Sequence, residues 1–149
     1  MNRAGRIKQV SPKYAVEGGE IVIDCEGFTV DAEGSHACYI GGEACRIVAA
    51  SQKRVIAIVP EDLAGETVIN LESGGEGSKA GKITIGRLLA DDMHIVANPA
   101  VDPKDDSVIL TRSGSRGQQL DHTLYRHEPD GYLDEFPVEI MNPTGVAFD

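Results

Sequence analysis

The stretches Glu20-Ile21-Val22-Ile23-Asp24-Cys25 and Arg54-Val55-Ile56-Ala57-Ile58-Val59 decide the fold class of this chain. In each stretch, apolar side chains at every second position define one buried face, which is the pattern of a half-buried β-strand. Turn residues bound both of them, with Gly18-Gly19 before the first and Pro60 after the second. Glycine accepts positive φ and proline cannot continue a β-ladder, so these positions favour turns.

The same pattern of short apolar stretches separated by turn residues continues through the first 86 residues and predicts about seven short strands. Besides the two above, the predicted strands are Ile7–Val10, His36–Ile40, Ala44–Ala49, Thr67–Glu72 and Lys82–Ile85. Short strands at this spacing are typical of a two-sheet sandwich of the immunoglobulin type. Because the chain contains no tryptophan, the Cys–Trp–Cys core of antibody domains is excluded.

Composition and charge fit a globular all-β protein and exclude several classes of partner. The 149 residues are 41% hydrophobic and 26% charged, with 17 glycines and 7 prolines. A net charge of −10 without any run of Lys or Arg argues against nucleic acid or an anionic membrane surface as partner. No apolar stretch reaches the roughly 20 residues that span a bilayer, and no signal-peptide pattern is present. We therefore expect a soluble chain without membrane insertion, and its compartment, cytoplasmic or extracellular, stays open.

Three cysteines form neither a disulfide framework nor a zinc pattern, which needs about four ligands. They are Cys25, Cys38 and Cys45. A two-residue turn at Gly41-Gly42 would place Cys38 and Cys45 directly opposite each other. A cross-strand disulfide between these two residues and a pair of reduced core thiols are both compatible with the spacing.

A set of short motifs in the first module is shared with a known family. The motifs are Val10-Ser11-Pro12, Gly18-Gly19, Gly27-Phe28, Ile40-Gly41-Gly42, Cys45, Val59-Pro60 and Gly74-Gly75. Residues 1–86 thereby resemble the IPT/TIG domain, the immunoglobulin-like domain of plexins and certain transcription factors. The resemblance implies a non-catalytic module for protein interaction, dimerisation or spacing. In extracellular members the cysteine after the Gly-Gly turn often pairs with one near the proline that ends a later strand, and Ala57 stands at that place here.

A second module is predicted over residues 98–149, after a connection formed by residues 87–97. Its predicted strands are Asn98–Asp102, Ser107–Arg112, His122–Glu128 and Tyr132–Val138. The opening motif then returns, because Asn98-Pro99 recurs as Asn142-Pro143 about 44 residues later, and Ala100-Val101-Asp102 recurs as Ala147-Phe148-Asp149. A repeat of this length with four strands per unit is what a β-propeller blade predicts.

This second module resembles the first blade, and the start of a second blade, of an NHL-type or gluconolactonase-like propeller. The resemblance rests on Asn98–Asp102, Thr111–Gly117 and Asn142–Asp149. A propeller needs 4–8 blades to close, so we expect the chain to be part of a longer protein, with an incomplete propeller. Lactonase-type propellers hold a divalent metal with residues from several blades. Here the corresponding polar residues at the blade openings are interpreted as packing residues, and no metal site is predicted.

One loop, Ser113-Gly114-Ser115-Arg116-Gly117, is the candidate binding site. Its small residues would leave backbone amides accessible, and Arg116 could hold an anion or a carboxylate together with Ser113 and Ser115. The alternative is a simple connector between strands. No catalytic constellation is found, and the segment from Gly75 to Ala80 imitates a dinucleotide motif but precedes a predicted strand, so no cofactor is expected.

The sequence therefore predicts an all-β, non-catalytic module that binds a protein partner, or a second copy of itself, through open β-edges. The first alternative is that the parent protein is a propeller hydrolase or lactonase whose active site lies outside these residues. The second alternative is carbohydrate binding, which 5% aromatic content and the absence of tryptophan disfavour.

Overall fold

The computed structural model describes residues 5–30, 34, 36–90, 98–138 and 140–149. The chain divides into two compact units, Met1–Arg87 and Leu88–Asp149. Of the predicted connection 87–97, residues 91–97 lie outside the described part. The described residues form strands and loops without a helix, so the all-β fold class is confirmed.

One sheet of the first unit has four antiparallel strands in the order β1-β3-β7-β6. These strands are β1 (Arg6–Ser11), β3 (Glu20–Glu26), β6 (Arg46–Ala50) and β7 (Arg54–Ile58). The two stretches with the clearest alternation, β3 and β7, lie side by side at its centre. Residues with buried side chains pair across the strands, as in Val10↔Ile23↔Val55.

The second sheet of this unit has the order β2-β10-β8-β4-β5, with β9 paired to β8. Its strands are β2 (Tyr14–Ala15), β4 (His36–Ile40), β5 (Glu43–Ala44), β8 (Gly65–Ser73), β9 (Glu76–Gly77) and β10 (Gly81–Ile85). Apolar side chains of both sheets share one buried core, which includes Ile21 and Ile23 from the first sheet and Ile40, Ile69 and Leu71 from the second. The predicted two-sheet sandwich is therefore confirmed.

The predicted single strand Ala44–Ala49 is wrong, because the chain changes sheets in the middle of it. β5 pairs with β4 after a two-residue turn at Gly41 and Gly42, both of which have positive φ (61° and 90°). Cys45 closes that hairpin, and β6 then pairs with β7 in the opposite sheet. Periodicity cannot reveal such a switch, because both halves keep an extended backbone.

Two further strands escape the sequence pattern because each has only two residues. β2 pairs in parallel with β10, and β9 forms a hairpin with the end of β8. The segment from Gly75 to Ala80 that imitates a dinucleotide motif includes the β8–β9 turn, β9 and the residues that lead to β10. The chain then enters β10 and not a helix, so the prediction that a strand follows this segment is confirmed.

The second unit contains a four-stranded antiparallel meander, ordered β11-β12-β13-β14. Its strands are β11 (Ala100–Val101), β12 (Val108–Thr111), β13 (Leu124–His127) and β14 (Leu133–Glu135). Each is shorter than its predicted counterpart. The buried apolar side chains of this sheet are contributed by Ile109, Leu110 and Leu124.

Candidate functional site

The predicted binding loop follows β12, and its hydrogen bonds are made within the second unit. The Gly114 amide donates to Asn142 Oδ1 at 3.3 Å, and the Ser115 amide donates to Gln118 Oε1 at 3.1 Å. The Ser113 hydroxyl donates to the Pro143 carbonyl at 3.1 Å. Two of the loop amides, those of Gly114 and Ser115, thus already have acceptors, and the Arg116 side chain is exposed beside them. Through Ser113 and Gly114, the loop after β12 is hydrogen-bonded to the Asn142-Pro143 segment.

The asparagines of the two Asn-Pro motifs have the same φ value, and the first motif contacts the residues that follow the second. Asn98 and Asn142 both have φ 48°, a left-handed value that asparagine accepts more readily than most residues. The Asn98 side chain donates from Nδ2 to the Thr144 carbonyl at 3.4 Å, and a Cβ on Gly145 would lie 3.3 Å from Asn98 Cβ. The Asn98 side chain thus contacts the segment that follows the second motif, whereas the Asn142 side chain accepts a hydrogen bond from the Gly114 amide.

The described residues contain no group of three or more His, Cys, Asp or Glu side chains that could hold a metal ion. A smaller charged cluster joins neighbouring strands of the second unit. Arg126 pairs with Asp105 and, at 2.8 Å, with Glu128. Hydrogen bonds from Ser107, and then the positive charge of Arg126, hold the pKa of Asp105 below its ordinary value. We interpret this cluster as structural, because each carboxylate is already engaged by neighbouring groups.

The edge strand β14 is the most accessible binding feature of this unit. Its three residues are all exposed. The Glu128 amide donates to the Tyr132 carbonyl, and the Phe136 amide donates to the Leu124 carbonyl. These two hydrogen-bonded pairs lie one on each side of the pair Arg126↔Asp134, which is therefore hydrogen-bonded as well. Since hydrogen-bonded and non-hydrogen-bonded pairs alternate in antiparallel strands, the backbone N–H groups of Leu133 and Glu135 face away from β13.

Apolar side chains accompany this open edge. Tyr132, immediately before β14, is 63% exposed, and Leu133 within β14 is 37% exposed. An open edge flanked by apolar side chains is a template for a further strand from another chain. Sequence reasoning anticipated the open edge, but the direction in which each amide points follows only from the register.

The three cysteines are free thiols in the structure. Cys38 lies on β4 in the core, and Cys45 follows β5 opposite it, where its amide donates to the Cys38 carbonyl at 2.8 Å. A hydrogen bond from the Cys38 thiol and one from the Ile40 backbone lower the pKa of Cys45, against the effect of burial. The same thiol–thiol hydrogen bond, followed by burial, raises the pKa of Cys38. Burial, and then the nearby Asp24, raise the pKa of Cys25 in the other sheet.

In the described part of the chain, no helix is long and apolar enough to cross a membrane.

Comparison with known proteins shows the fold alone. No protein-family model matches the chain, and no curated protein matches it. Among solved structures, it is similar to a gamma-CGTase from Alkalophilic bacillus clarkii (TM-score 0.52, 12% identity, 98% of this chain and 27% of that one). A structural genomics protein of unknown function from Bacteroides thetaiotaomicron VPI-5482 is similar as well (TM-score 0.51, 10% identity, 90% and 38%). An auxiliary nutrient binding protein from the same organism has a TM-score of 0.47 at 15% identity over 95% of this chain and 39% of that one. The chain thus spans less than two fifths of the length of each of these proteins.

Proposed function

We propose that this chain is a non-catalytic protein-interaction module, in which an IPT/TIG-like sandwich precedes one blade of an NHL-type propeller. We further propose that it binds protein through the open edge of β14. The observation that carries the proposal is that edge, where the Leu133 and Glu135 amides point outward among exposed apolar side chains. Binding would add a partner strand to the sheet, with backbone hydrogen bonds supplying affinity and side chains supplying selectivity.

The simplest partner strand is β14 of a second copy. A symmetric antiparallel pair centred on Asp134 would join the outward backbone groups of Leu133 and Glu135 from each chain. It would also place Asp134 opposite Asp134, and like charges in that position are destabilising. Because salt screens exposed charges, association between copies should strengthen as ionic strength rises.

The test is sedimentation velocity of the full chain over a range of protein and salt concentrations. Glu135→Pro removes one outward N–H group, and it leaves the hydrogen bonds of the Arg126↔Asp134 pair intact. Glu135→Ala is the matched control, because it also loses the ion pair with His122 at 3.2 Å but keeps the amide. We expect salt-strengthened dimers for the wild type and for Glu135→Ala, and monomers for Glu135→Pro.

Two results would contradict this use of the edge. One is a wild-type chain that stays monomeric at every concentration and salt level, and the other is a dimer that Glu135→Pro leaves unchanged. The non-catalytic part of the proposal is tested separately with lactone and ester substrates. Turnover of any of them by this chain, beyond that of a heat-denatured sample, would refute it.

A second candidate function is that the parent protein is a propeller hydrolase or lactonase. The observation that favours it is the repeated Asn-Pro motif, whose two asparagines have the same φ value and whose first copy contacts Thr144 and Gly145 after the second. Reading the encoding gene past the codon for Asp149 tests it. Further Asn-Pro repeats, with Glu, Asn and Asp at the strand openings, would support this candidate, and an unrelated sequence would exclude it.

A further inference from the structure

We propose that Cys38 and Cys45 form a thiol–disulfide modification site, in which Cys45 is attacked first and Cys38 closes the disulfide. This inference concerns the first unit and does not depend on binding at β14. It starts from register: β4 and β5 pair as Tyr39↔Ala44 and Ile40↔Glu43, so the next pair outward is Cys38 with Cys45. The hydrogen bond from the Cys45 amide to the Cys38 carbonyl, at 2.8 Å, extends the ladder to that pair.

This register brings the two Cα atoms within the separation that a disulfide bond can span. In a hydrogen-bonded antiparallel pair the Cα atoms are about 5.5 Å apart, which is within the range that disulfides span. Side chains of directly opposed residues point to the same face of the sheet, and both of these cysteines pack against the sandwich core. Each of the two thiols shifts the pKa of the other, as expected for neighbouring groups, and the Cys45 thiol donates a hydrogen bond to the Glu43 carbonyl at 3.7 Å.

The two cysteines differ in access and in reactivity, which gives the reaction an order. Cys38 is only 1% exposed, whereas Cys45 is partly exposed next to the turn. The thiolate is the nucleophile in disulfide exchange. Hydrogen bonds that favour the Cys45 thiolate therefore make the accessible cysteine also the more reactive one.

With glutathione disulfide as the oxidant, the reaction has two exchange steps. The Cys45 thiolate attacks one sulfur of glutathione disulfide, which forms a mixed disulfide on Cys45 and releases one glutathione thiolate. Cys38 then attacks the Cys45 sulfur while its proton passes to the departing thiolate, which releases the second glutathione as a thiol. Two cysteine thiols are oxidised to one disulfide, and one glutathione disulfide is reduced to two thiols.

The disulfide bond would fix the position at which the chain passes from one sheet of the sandwich to the other. Cys45 is the residue at which the chain leaves β5 and crosses to β6 in the other sheet. A disulfide bond would link Cys45 covalently to β4. In the reduced protein, the backbone hydrogen bond from Cys45 to Cys38 holds this residue next to β4. Oxidation should therefore slow hydrogen exchange in the segment Arg46–Ala50 more than in β1, which lies at the opposite edge of the same sheet.

The experiment equilibrates the full chain with glutathione disulfide, blocks the remaining thiols, and measures the intact mass and the linked peptides. We expect the wild type to lose two of its three free thiols and to carry no glutathione. Cleavage after Glu43, which lies between the two cysteines, should give peptides that are joined until a reductant is added. Cys25→Ala is the matched control and should behave as the wild type does.

Single variants test the order of the steps. Cys38→Ala should keep one glutathione on Cys45, because nothing can displace it, and Cys45→Ala should take up none. The inference is overturned if the wild type retains all three thiols, keeps glutathione as a mixed disulfide, or links Cys25. The linked peptides of the wild type decide the question even if a variant does not fold.

Discussion

Replacing Ile23 by Ala tests the face assignment on which the sandwich depends. Ile23 is fully buried and is flanked on neighbouring strands by Val10 and Val55, which are 8% and 0% exposed. The change removes three carbon atoms, each with a transfer free energy of about 0.8 kcal/mol, or about 2.4 kcal/mol together. The cavity left between three paired strands adds to this, so we expect the free energy of unfolding to fall by about 3–4 kcal/mol.

The matched control is Val22→Ala, one residue away on the opposite face of the same strand. Val22 is only half-buried and pairs with Ser11 and Ile56, so its loss should cost less than about 1 kcal/mol. Because the chain lacks tryptophan, urea unfolding is followed by far-ultraviolet circular dichroism. Hydrogen exchange with mass spectrometry then assigns the lost protection to β3 and its neighbours. Equal costs for the two variants, or a cost below about 1 kcal/mol for Ile23→Ala, would refute the assigned burial.

Three further predictions concern turns and charge. Asn142→Ala should destabilise the second unit by about 1–2 kcal/mol in urea unfolding, because alanine resists positive φ and the Gly114 amide loses its acceptor; equal stability would show that this contact is dispensable. Asp105→Asn should lower the urea midpoint at neutral pH. The pKa of Asp105 in the folded chain is held below its ordinary 3.8, so the stability that Asp105 contributes is fully present above pH 3.8 and is lost as the pH falls through the folded pKa. The urea midpoints of the wild type and of Asp105→Asn should therefore converge at that low pH. A difference between the midpoints that stays constant with pH would contradict this. Gly42→Asn should cost about 1 kcal/mol more than Gly41→Asn by the same measurement, because asparagine fits the φ of 61° at Gly41, the first turn position, better than the φ of 90° at Gly42; the reverse order would count against this turn geometry.

The sequence was informative where the side-chain period and the turn residues agree. The alternation in β3 and β7 identified the two central strands of one sheet, and Gly41-Gly42 identified a hairpin that sets Cys38 opposite Cys45. Both signals are local, because a strand's buried face and a two-residue turn are determined within a few residues.

The remaining features depend on contacts between distant residues. The change of sheet at Cys45 is set by what β6 meets on β7, and the strand β2 exists only because β10 lies beside it. For the loop Ser113–Gly117, the small residues of the sequence predicted accessible backbone amides near Arg116. The acceptor that occupies the Gly114 amide is Asn142, 28 positions away, so the occupied state could not be inferred from the loop itself.

The contact between Asn98 and the Thr144-Gly145 backbone has a consequence for how this unit can be joined to other sequences. The chain enters the meander and leaves it at nearly the same place. A unit with this property can be duplicated in tandem, inserted into a surface loop, or deleted, while the flanking polypeptide keeps its path. Copy number can then change in evolution by whole units, since each addition requires only a short join between one Asn-Pro motif and the next.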